Sequence, residues 1–200
     1  NYCVFVGLNG GVVRTTDGGN NWEELYPEMI PEISGFTAIQ FLDNNLGFAS
    51  GWDCDIVKTT DGGENWSVLP KPNDADLYAM FFINPDTGWV CGNEEYLAKT
   101  TNGGESWETI IHKLGYPYAS IQFVDSQTGW MLYKSAYQGS ILKSTNGGLD
   151  WSVQLSGDTI ACWDLYFVNA DTGFAGGCGQ LFRTTNGGEK WEKILEGFNW

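Results

Sequence analysis

Positive charge is scarce in this sequence. The chain has 10 Lys and Arg against 25 Asp and Glu, which gives a formal net charge of −15 over 200 residues. Binding to DNA, RNA or an anionic membrane depends on attraction between cationic side chains and phosphate groups. The deficit of cations therefore argues against all three partners.

The chain also has very little histidine and no long apolar run. His112 is the single His, and the five Cys lack the spacing of a zinc site, so we predict no metal site and no cofactor. The longest apolar run, from Tyr78 to Ile83, has six residues, against the roughly 18 that cross a bilayer. The chain begins at Asn1 without a basic and then apolar segment, so we expect any signal peptide to be removed or to lie outside it.

Glycine and tryptophan are abundant and mark an internal repeat. The chain has 27 Gly and 10 Trp, a composition that favours an all-β protein over a helical bundle. Five nine-residue segments share a Thr/Ser-Thr-Asp/Asn-Gly-Gly core and end in Trp, and successive Trp are 44, 41, 44 and 40 residues apart. They end at Trp22, Trp66, Trp107, Trp151 and Trp191. A fixed period of this length is typical of repeat architectures.

A second motif alternates with the first. It is an alternating apolar run, then a short turn with Asp or Asn, then Gly and an aromatic residue, as in the segment from Ile39 to Phe48. Alternation broken by turn residues predicts four short strands per repeat, here called A to D. The sequence therefore predicts one all-β domain over residues 1–200, a β-propeller of about five four-stranded blades.

The nine-residue segment predicts a self-contained turn between strands C and D. The Asp or Asn accepts backbone N–H groups, the following Gly supplies positive φ, and the Trp covers the loop. We expect a structural role for these residues, which are Asp17, Trp22, Asp61, Trp66, Asn102, Trp107, Asn146, Trp151, Asn186 and Trp191. A cation also recurs three residues before each Asp or Asn, at Arg14, Lys58, Lys99, Lys143 and Arg183.

This segment is the Asp-box, or bacterial neuraminidase repeat. The longer pattern, F-x-D-x-x-x-G-W-x-x-G followed by the box, resembles the repeats of the photosystem II assembly and stability factor family and its non-photosynthetic bacterial relatives, over nearly the whole chain. The resemblance implies a propeller that binds other proteins and performs no chemistry.

The start of the chain can be aligned with the later repeats. Cys3 and Val4 align with Gly47 and Phe48 of strand B, so the first repeat lacks strand A. We expect that strand to come from residues outside this chain, from a neighbouring subunit or from a larger parent protein, because an open strand edge leaves unpaired N–H and C=O groups.

Two cysteines of the fifth repeat are predicted to face each other. A hairpin about the turn from Asn169 to Thr172 places Cys162 opposite Cys178, and either a disulfide or two buried small residues fits that arrangement. A bridge implies an oxidising compartment, so we expect an extracytoplasmic protein, secreted or on the cell surface, of bacterial type.

Loops that depart from the repeat are candidates for binding, because variable loops carry function more often than the scaffold does. On the face that holds the B–C and D–A loops, the candidates are Trp52, Asp53, Asp55, Glu94, Glu95, Tyr96, Tyr133, Tyr137 and Trp163. The aromatic members could form a stacking platform for a sugar or peptide, or be ordinary rim residues. Asp53 and Asp55 could also bind calcium, but an Asp-x-Asp pattern is a weak signal and solvated charge is the better explanation.

Asp boxes also occur in sialidases and xyloglucan-cleaving glycosidases. A sialidase needs three converging arginines, and this chain has only Arg14 and Arg183, both at the repeated cation position. A glycosidase needs only two carboxylates about 5 to 10 Å apart, which the loop acids could supply. The sequence favours a non-enzymatic protein-interaction or assembly module, with a glycan-binding propeller and then a glycosidase as the alternatives.

Overall fold

The computed structural model describes residues 2–7, 11–25, 34–111, 117–134, 139–157, 162–177 and 179–197. These residues form nineteen β-strands and two short 3-10 turns, Trp52–Cys54 and Asn93–Glu95. The described part of the chain contains no helix that is long and apolar enough to span a membrane.

The strands form five antiparallel sheets in chain order. The first sheet has three strands: β1 (Cys3–Val6), β2 (Val12–Thr15) and β3 (Glu23–Leu25). The second has β4 (Phe36–Phe41), β5 (Gly47–Gly51), β6 (Ile56–Thr59) and β7 (Ser67–Val68). The third has β8 (Leu77–Phe82), β9 (Gly88–Gly92), β10 (Tyr96–Thr100) and β11 (Glu108–Ile111). The fourth has β12 (Tyr118–Phe123), β13 (Gly129–Lys134), β14 (Gly139–Ser144) and β15 (Ser152–Gly157), and the fifth has β16 (Asp164–Phe167), β17 (Gly173–Gly177), β18 (Gln180–Thr184) and β19 (Glu192–Glu196).

Each sheet is one blade, and the predicted propeller blades are confirmed. The A strands β4, β8, β12 and β16 pack side by side and form an inner layer, and β1 packs against β4. Cys3 pairs with Thr15 as Gly47 pairs with Thr59, so β1 is a B strand. The described residues of the first blade therefore contain strands B, C and D.

Each Asp-box closes on itself through side-chain hydrogen bonds. In the second blade the Thr59 hydroxyl donates to Asp61 Oδ1 at 2.8 Å and accepts the N–H of Gly63 at 2.9 Å. Asp61 Oδ1 accepts the N–H of Asn65 at 2.9 Å, and Trp66 Nε1 donates to the Gly63 carbonyl at 3.1 Å. The hydroxyl bonds recur in the other four boxes. The turn thus depends on local contacts rather than on a ligand.

Stacked aromatic rings join neighbouring blades. The B-strand ring of one blade lies flat on the A-strand Phe of the next, at centroid distances of 3.7 Å for Phe48 on Phe82 and 3.6 Å for Trp89 on Phe123. Lys58 and Lys99 place their ammonium groups 5.5 and 5.1 Å from the centroids of Phe48 and Trp89. These rings are fully buried, so the blade boundaries form the hydrophobic core.

The register of the fifth blade bears on the predicted cysteine pair. Asp164 pairs with Gly176 and Leu165 with Ala175, the offset that motivated the prediction. Cys162 is buried, and Cys178 lies outside the described residues. The bridge, and the oxidising compartment that it would imply, remain predictions.

Candidate functional site

The inner layer of A strands lines a cavity of about 670 Å³. Its wall consists of four parallel rows of residues from consecutive blades, 37–40, 78–81, 119–122 and 163–166. The volume falls within the range of about 300 to 1,000 Å³ that small ligand sites occupy. Asp164 is the one charged residue among these lining residues.

Aromatic side chains project into this cavity. Tyr78, near the start of β8, and Trp163, directly before β16, occupy equivalent positions, and they are 36% and 55% exposed. Tyr166, three residues further along the fifth blade, is 63% exposed. Large rings exposed to this degree offer apolar and stacking area to a ligand.

The polar side chains of the wall are held by contacts between blades. Gln40 donates to the carbonyl of Phe82 at 2.8 Å and accepts its N–H at 2.6 Å. Gln122 makes the same two bonds to Phe167. Ser120 donates to Asp164 Oδ1 at 2.8 Å. Because these groups already have partners, the wall is a preorganised surface.

The B–C turns of the second and third blades share an unusual backbone. Asp53 and Glu94 have φ of 54° and 53°, and the residue after each also has positive φ. A glycine precedes each turn because the backbone of the preceding D–A connection passes close to it. A Cβ on Gly92 would lie only 1.9 Å from the carbonyl oxygen of Asp76. Left-handed backbone in residues other than Gly is strained and concentrates at functional sites.

Within these turns only part of the predicted set lies on the surface. Trp52 is 38% exposed, and the side chains of Asp53 and Glu94 are also exposed. Asp53 accepts a hydrogen bond from Ser34 at 2.8 Å, and its own N–H donates to Asp76 at 3.1 Å. Glu95 is half-buried.

Asp55 was predicted to be an exposed loop carboxylate, and the structure shows that this is wrong. Its side chain is buried, and Oδ1 lies 2.7 Å from the ammonium group of Lys71. Lys71 also donates to the Asp53 carbonyl at 2.9 Å, and the hydrogen bond to Asp55 raises the pKa of Lys71. Asp55 therefore anchors the connection between blades and is not available to a ligand at the surface.

The tyrosines of the predicted stacking platform separate in the structure. Tyr96 is only 6% exposed, and burial raises its pKa to about 12. Tyr133 is half-buried, and its hydroxyl accepts a hydrogen bond from Ser140 at 2.8 Å. Tyr137 lies outside the described residues. Of the aromatic candidates, Trp52 and Trp163 present exposed rings.

Sequence reasoning missed Tyr78, Tyr166 and Asp164. All three lie within the predicted A strands, where the repeat indicates only scaffold positions. A signal was present, since Tyr166 stands where Gln40 and Gln122 stand in other repeats. No group of three or more His, Cys, Asp or Glu among the described residues could hold a metal ion.

Solved structures of two kinds resemble this fold. YCF48 from Cyanidioschyzon merolae aligns with a TM-score of 0.76 at 17% identity, over 99% of this chain and 68% of that one. YCF48 bound to D1 peptide aligns with a TM-score of 0.53 at 17% identity, over 97% and 78% of the two chains. The GH74 enzyme of Niastella koreensis aligns with a TM-score of 0.77 at 15% identity, over 98% and 36%. At such identities the likeness shows the fold alone.

Comparison of sequences is more specific. No curated protein sequence matches the chain significantly. The sequence profile of the family described as photosynthesis system II assembly factor YCF48 matches residues 29–159, which is more than half of the chain. With its Asp-box blades and this match, the chain belongs to the photosynthesis system II assembly factor YCF48 family.

Proposed function

We propose that this chain is a non-enzymatic protein-interaction and assembly module that binds an extended polypeptide segment at the inner cavity. The observation that carries the proposal is the cavity itself, with the exposed rings of Trp163, Tyr78 and Tyr166 along a wall of rigid strands. Alternate side chains of an extended segment could stack on these rings, while Asp164 could pair with a basic residue.

The charge of the chain limits the class of segment. The net charge is −15, and the exposed acids Asp53 and Glu94 lie on the adjoining B–C turns. Like charges across an interface are unfavourable, so a basic or neutral segment fits better than an acidic one. A YCF48 protein with this fold has been solved bound to D1 peptide, which supports a polypeptide as the ligand.

Catalysis is the weaker alternative for this surface. A glycosidase needs two carboxylates free to act on the substrate, and Asp55 is held by Lys71 inside the protein. The inner cavity has a single carboxylate among its lining residues, Asp164, which already accepts hydrogen bonds from Ser120 and from the N–H of Leu165.

We also propose an extracytoplasmic location for the chain, because the predicted disulfide between Cys162 and Cys178 would need an oxidising compartment.

Selection from a random 12-residue peptide library tests the function. We expect selected peptides to be enriched in basic and aromatic residues and to bind Trp163→Ala at least about tenfold more weakly, since stacking contacts are worth on the order of 1 to 3 kcal/mol. Leu149→Ala is the matched control, because Leu149 is 53% exposed but lies in a box turn.

Two results would overturn the proposal. One is a set of peptides whose affinity is unchanged in both Trp163→Ala and Asp164→Asn. The other is binding or cleavage of polysaccharides such as xyloglucan that depends on Trp163, which would move the site to the glycan alternatives.

A further inference from the structure

A β-bulge recurs near the start of the A strands. In β4, β8 and β12 the pairing with the B strand shifts by one residue, at Thr37, Tyr78 and Ala119 respectively. In the fifth blade the N–H of Trp163 donates at 2.7 Å to the carbonyl of Gly176, which already pairs with the residue after Trp163. A bulge turns one side chain out of the regular alternation, and all four bulge residues line the inner cavity. The bulge therefore decides which side chain each blade presents to this cavity.

The bulge residues of the third, fourth and fifth blades differ greatly in size. Tyr78 and Trp163 present rings that are 36% and 55% exposed. Ala119, in the blade between them, has only a methyl group. Because β12 packs against β8 on one side and β16 on the other, Ala119 leaves a gap between the two rings. We call this gap, formed by Tyr78, Ala119 and Trp163, the Ala119 notch.

Asp164 brings a carboxylate to the same part of the cavity wall. Its Oδ1 accepts hydrogen bonds from the hydroxyl of Ser120, the residue after Ala119, and from the N–H of Leu165, each at 2.8 Å. Asp164 is exposed, and its Oδ2 accepts no hydrogen bond from the residues that the structure describes. The two bonds to Oδ1 thus orient the carboxylate and leave Oδ2 for a ligand.

The chemistry of these groups matches an arginine side chain. A guanidinium group is planar and always charged, it stacks on aromatic faces, and its N–H groups donate in the plane of the group. Such hydrogen bonds are stronger when the acceptor is a carboxylate. The ammonium group of lysine is compact and strongly hydrated, so it gains less from stacking. No Lys or Arg is among the residues that line the cavity in the described part of the chain, so Asp164 has no competing cation there.

We infer that the Ala119 notch binds an arginine side chain of the partner polypeptide, with the guanidinium between the rings of Tyr78 and Trp163 and paired with Asp164. This inference rests on the proposed function, because it names the residue that anchors an extended segment in the inner cavity. The net charge of −15 favours the same cationic anchor.

The second blade does not offer an equal site. The hydroxyl of Thr37 is already held by the carbonyl of Leu77, to which it donates at 2.6 Å. The cavity residues of the second and third blades, 37–40 and 78–81, include no carboxylate. We therefore expect one anchoring arginine in each bound segment.

Substitution in the peptide tests the anchor. The 12-residue peptides selected on the unaltered chain are made again with each arginine replaced in turn by lysine and by citrulline, which has nearly the shape of arginine but no charge. At one arginine of each peptide, we expect citrulline to weaken binding at least about tenfold and lysine at least about threefold. Isothermal titration calorimetry measures these affinities.

A double-mutant cycle identifies the group that the arginine contacts. Asp164→Asn should weaken binding of the arginine peptide at least about tenfold and that of the citrulline peptide less than about twofold. Ala119→Leu fills the notch and should also weaken the arginine peptide at least about tenfold. Leu149→Ala is the control, because Leu149 lies in a box turn and should change neither affinity. The cycle with Asp164→Asn remains decisive if Ala119→Leu does not fold.

The contrary outcomes separate this inference from the proposed function. Peptides that need Trp163 but contain no arginine, or that tolerate citrulline at every arginine, would overturn the inference and leave the proposed function standing. An equal loss of the arginine and citrulline peptides on Asp164→Asn would do the same, as would full affinity in a folded Ala119→Leu. Affinity unchanged in both Trp163→Ala and Asp164→Asn would overturn the inference and the proposed function together.

Discussion

The indole Nε1 of Trp130 donates to the carbonyl oxygen of Gly187 at 3.2 Å, across the boundary between the fourth and fifth blades. Trp89 makes the same bond to Gly147 at 3.0 Å. The ring of Trp130 also stacks on Phe167 at 3.5 Å. The side chain of Trp130 thus packs in the core between two blades and also hydrogen-bonds to the Asp-box of the next blade. That Asp-box turn is therefore held by the preceding blade as well as by its own hydrogen bonds.

The variant Trp130→Phe should remove the hydrogen bond to Gly187 and keep the stacking on Phe167, so it separates the two contributions to stability. Phe48 fills this position in the second blade without an indole donor, so a Phe ring fits. We expect a loss of about 1 kcal/mol in the free energy of unfolding, the usual value of one hydrogen bond. Trp130→Ala should cost about 3 to 5 kcal/mol, because it also removes a fully buried ring. Urea denaturation followed by circular dichroism measures both, and equal losses would contradict the assignment.

Gln122→Leu should destabilise the chain by leaving the N–H and C=O of Phe167 without their side-chain partner. The expected cost is about 1 to 3 kcal/mol, since each buried group left unsatisfied loses its solvation. Phe81→Leu is the matched control, because Phe81 occupies the same position in the third blade. Thermal denaturation of both variants checks the prediction, and a larger loss in the control would refute it.

Gly88→Ala should be costly although it adds only a methyl group. The new Cβ would lie 2.5 Å from the Cδ1 atom of Phe82 and force that ring off its stack on Phe48. Overpacking of this kind costs about 1 to 3 kcal/mol. Gly7→Ala is the control, because a Cβ there meets nothing within 4 Å. Chemical denaturation should show a loss for Gly88→Ala and a change within about 0.5 kcal/mol for Gly7→Ala.

Acid should weaken the first two boxes, whose central residue is Asp, more than the three boxes in which that residue is Asn. The N–H and side chain of Asn21 lower the pKa of Asp17 to about 2. Burial acts to raise the pKa of Asp61, but hydrogen bonds from Asn65 and Thr59 outweigh it and lower that pKa as well. A lowered folded-state pKa stabilises the fold above the unfolded value of about 3.9, and this contribution is lost as pH falls towards 2. Asn102, Asn146 and Asn186 do not titrate.

Asp17→Asn and Asp61→Asn provide the measurement. Each variant should be less stable than the unaltered chain at pH 7, and the difference should shrink between about pH 4 and pH 2. Asp43 and Asp125 also have lowered pKa values, through the backbone N–H groups of the A–B turns, so the double variant should keep part of its acid sensitivity. A stability difference that stays constant from pH 7 to pH 2 would contradict the linkage.

Much of the architecture could be predicted because the repeat is local. Each box needs only a Thr or Ser hydroxyl, an Asp or Asn, two Gly and a Trp within nine residues, so its turn can be predicted from the sequence. The strand alternation and the phase of Cys3 and Val4 likewise predicted a first blade with strands B, C and D, as the structure shows. The candidate site was less predictable. The positive φ of Asp53 and Cys54 accompanies the burial of Asp55 next to Lys71. An Asp-x-Asp pattern in the sequence does not predict this backbone conformation.

The sequence by itself determined the blades, because each strand and turn depends on residues that are neighbours in the chain. The tertiary structure decided which side chains remain exposed. Cys162 is buried while Trp163 beside it is 55% exposed, and Tyr96 is buried while Tyr78 faces the inner cavity. These differences arise where one blade packs against the next, between residues about 40 positions apart, and a local pattern of side chains cannot specify such contacts.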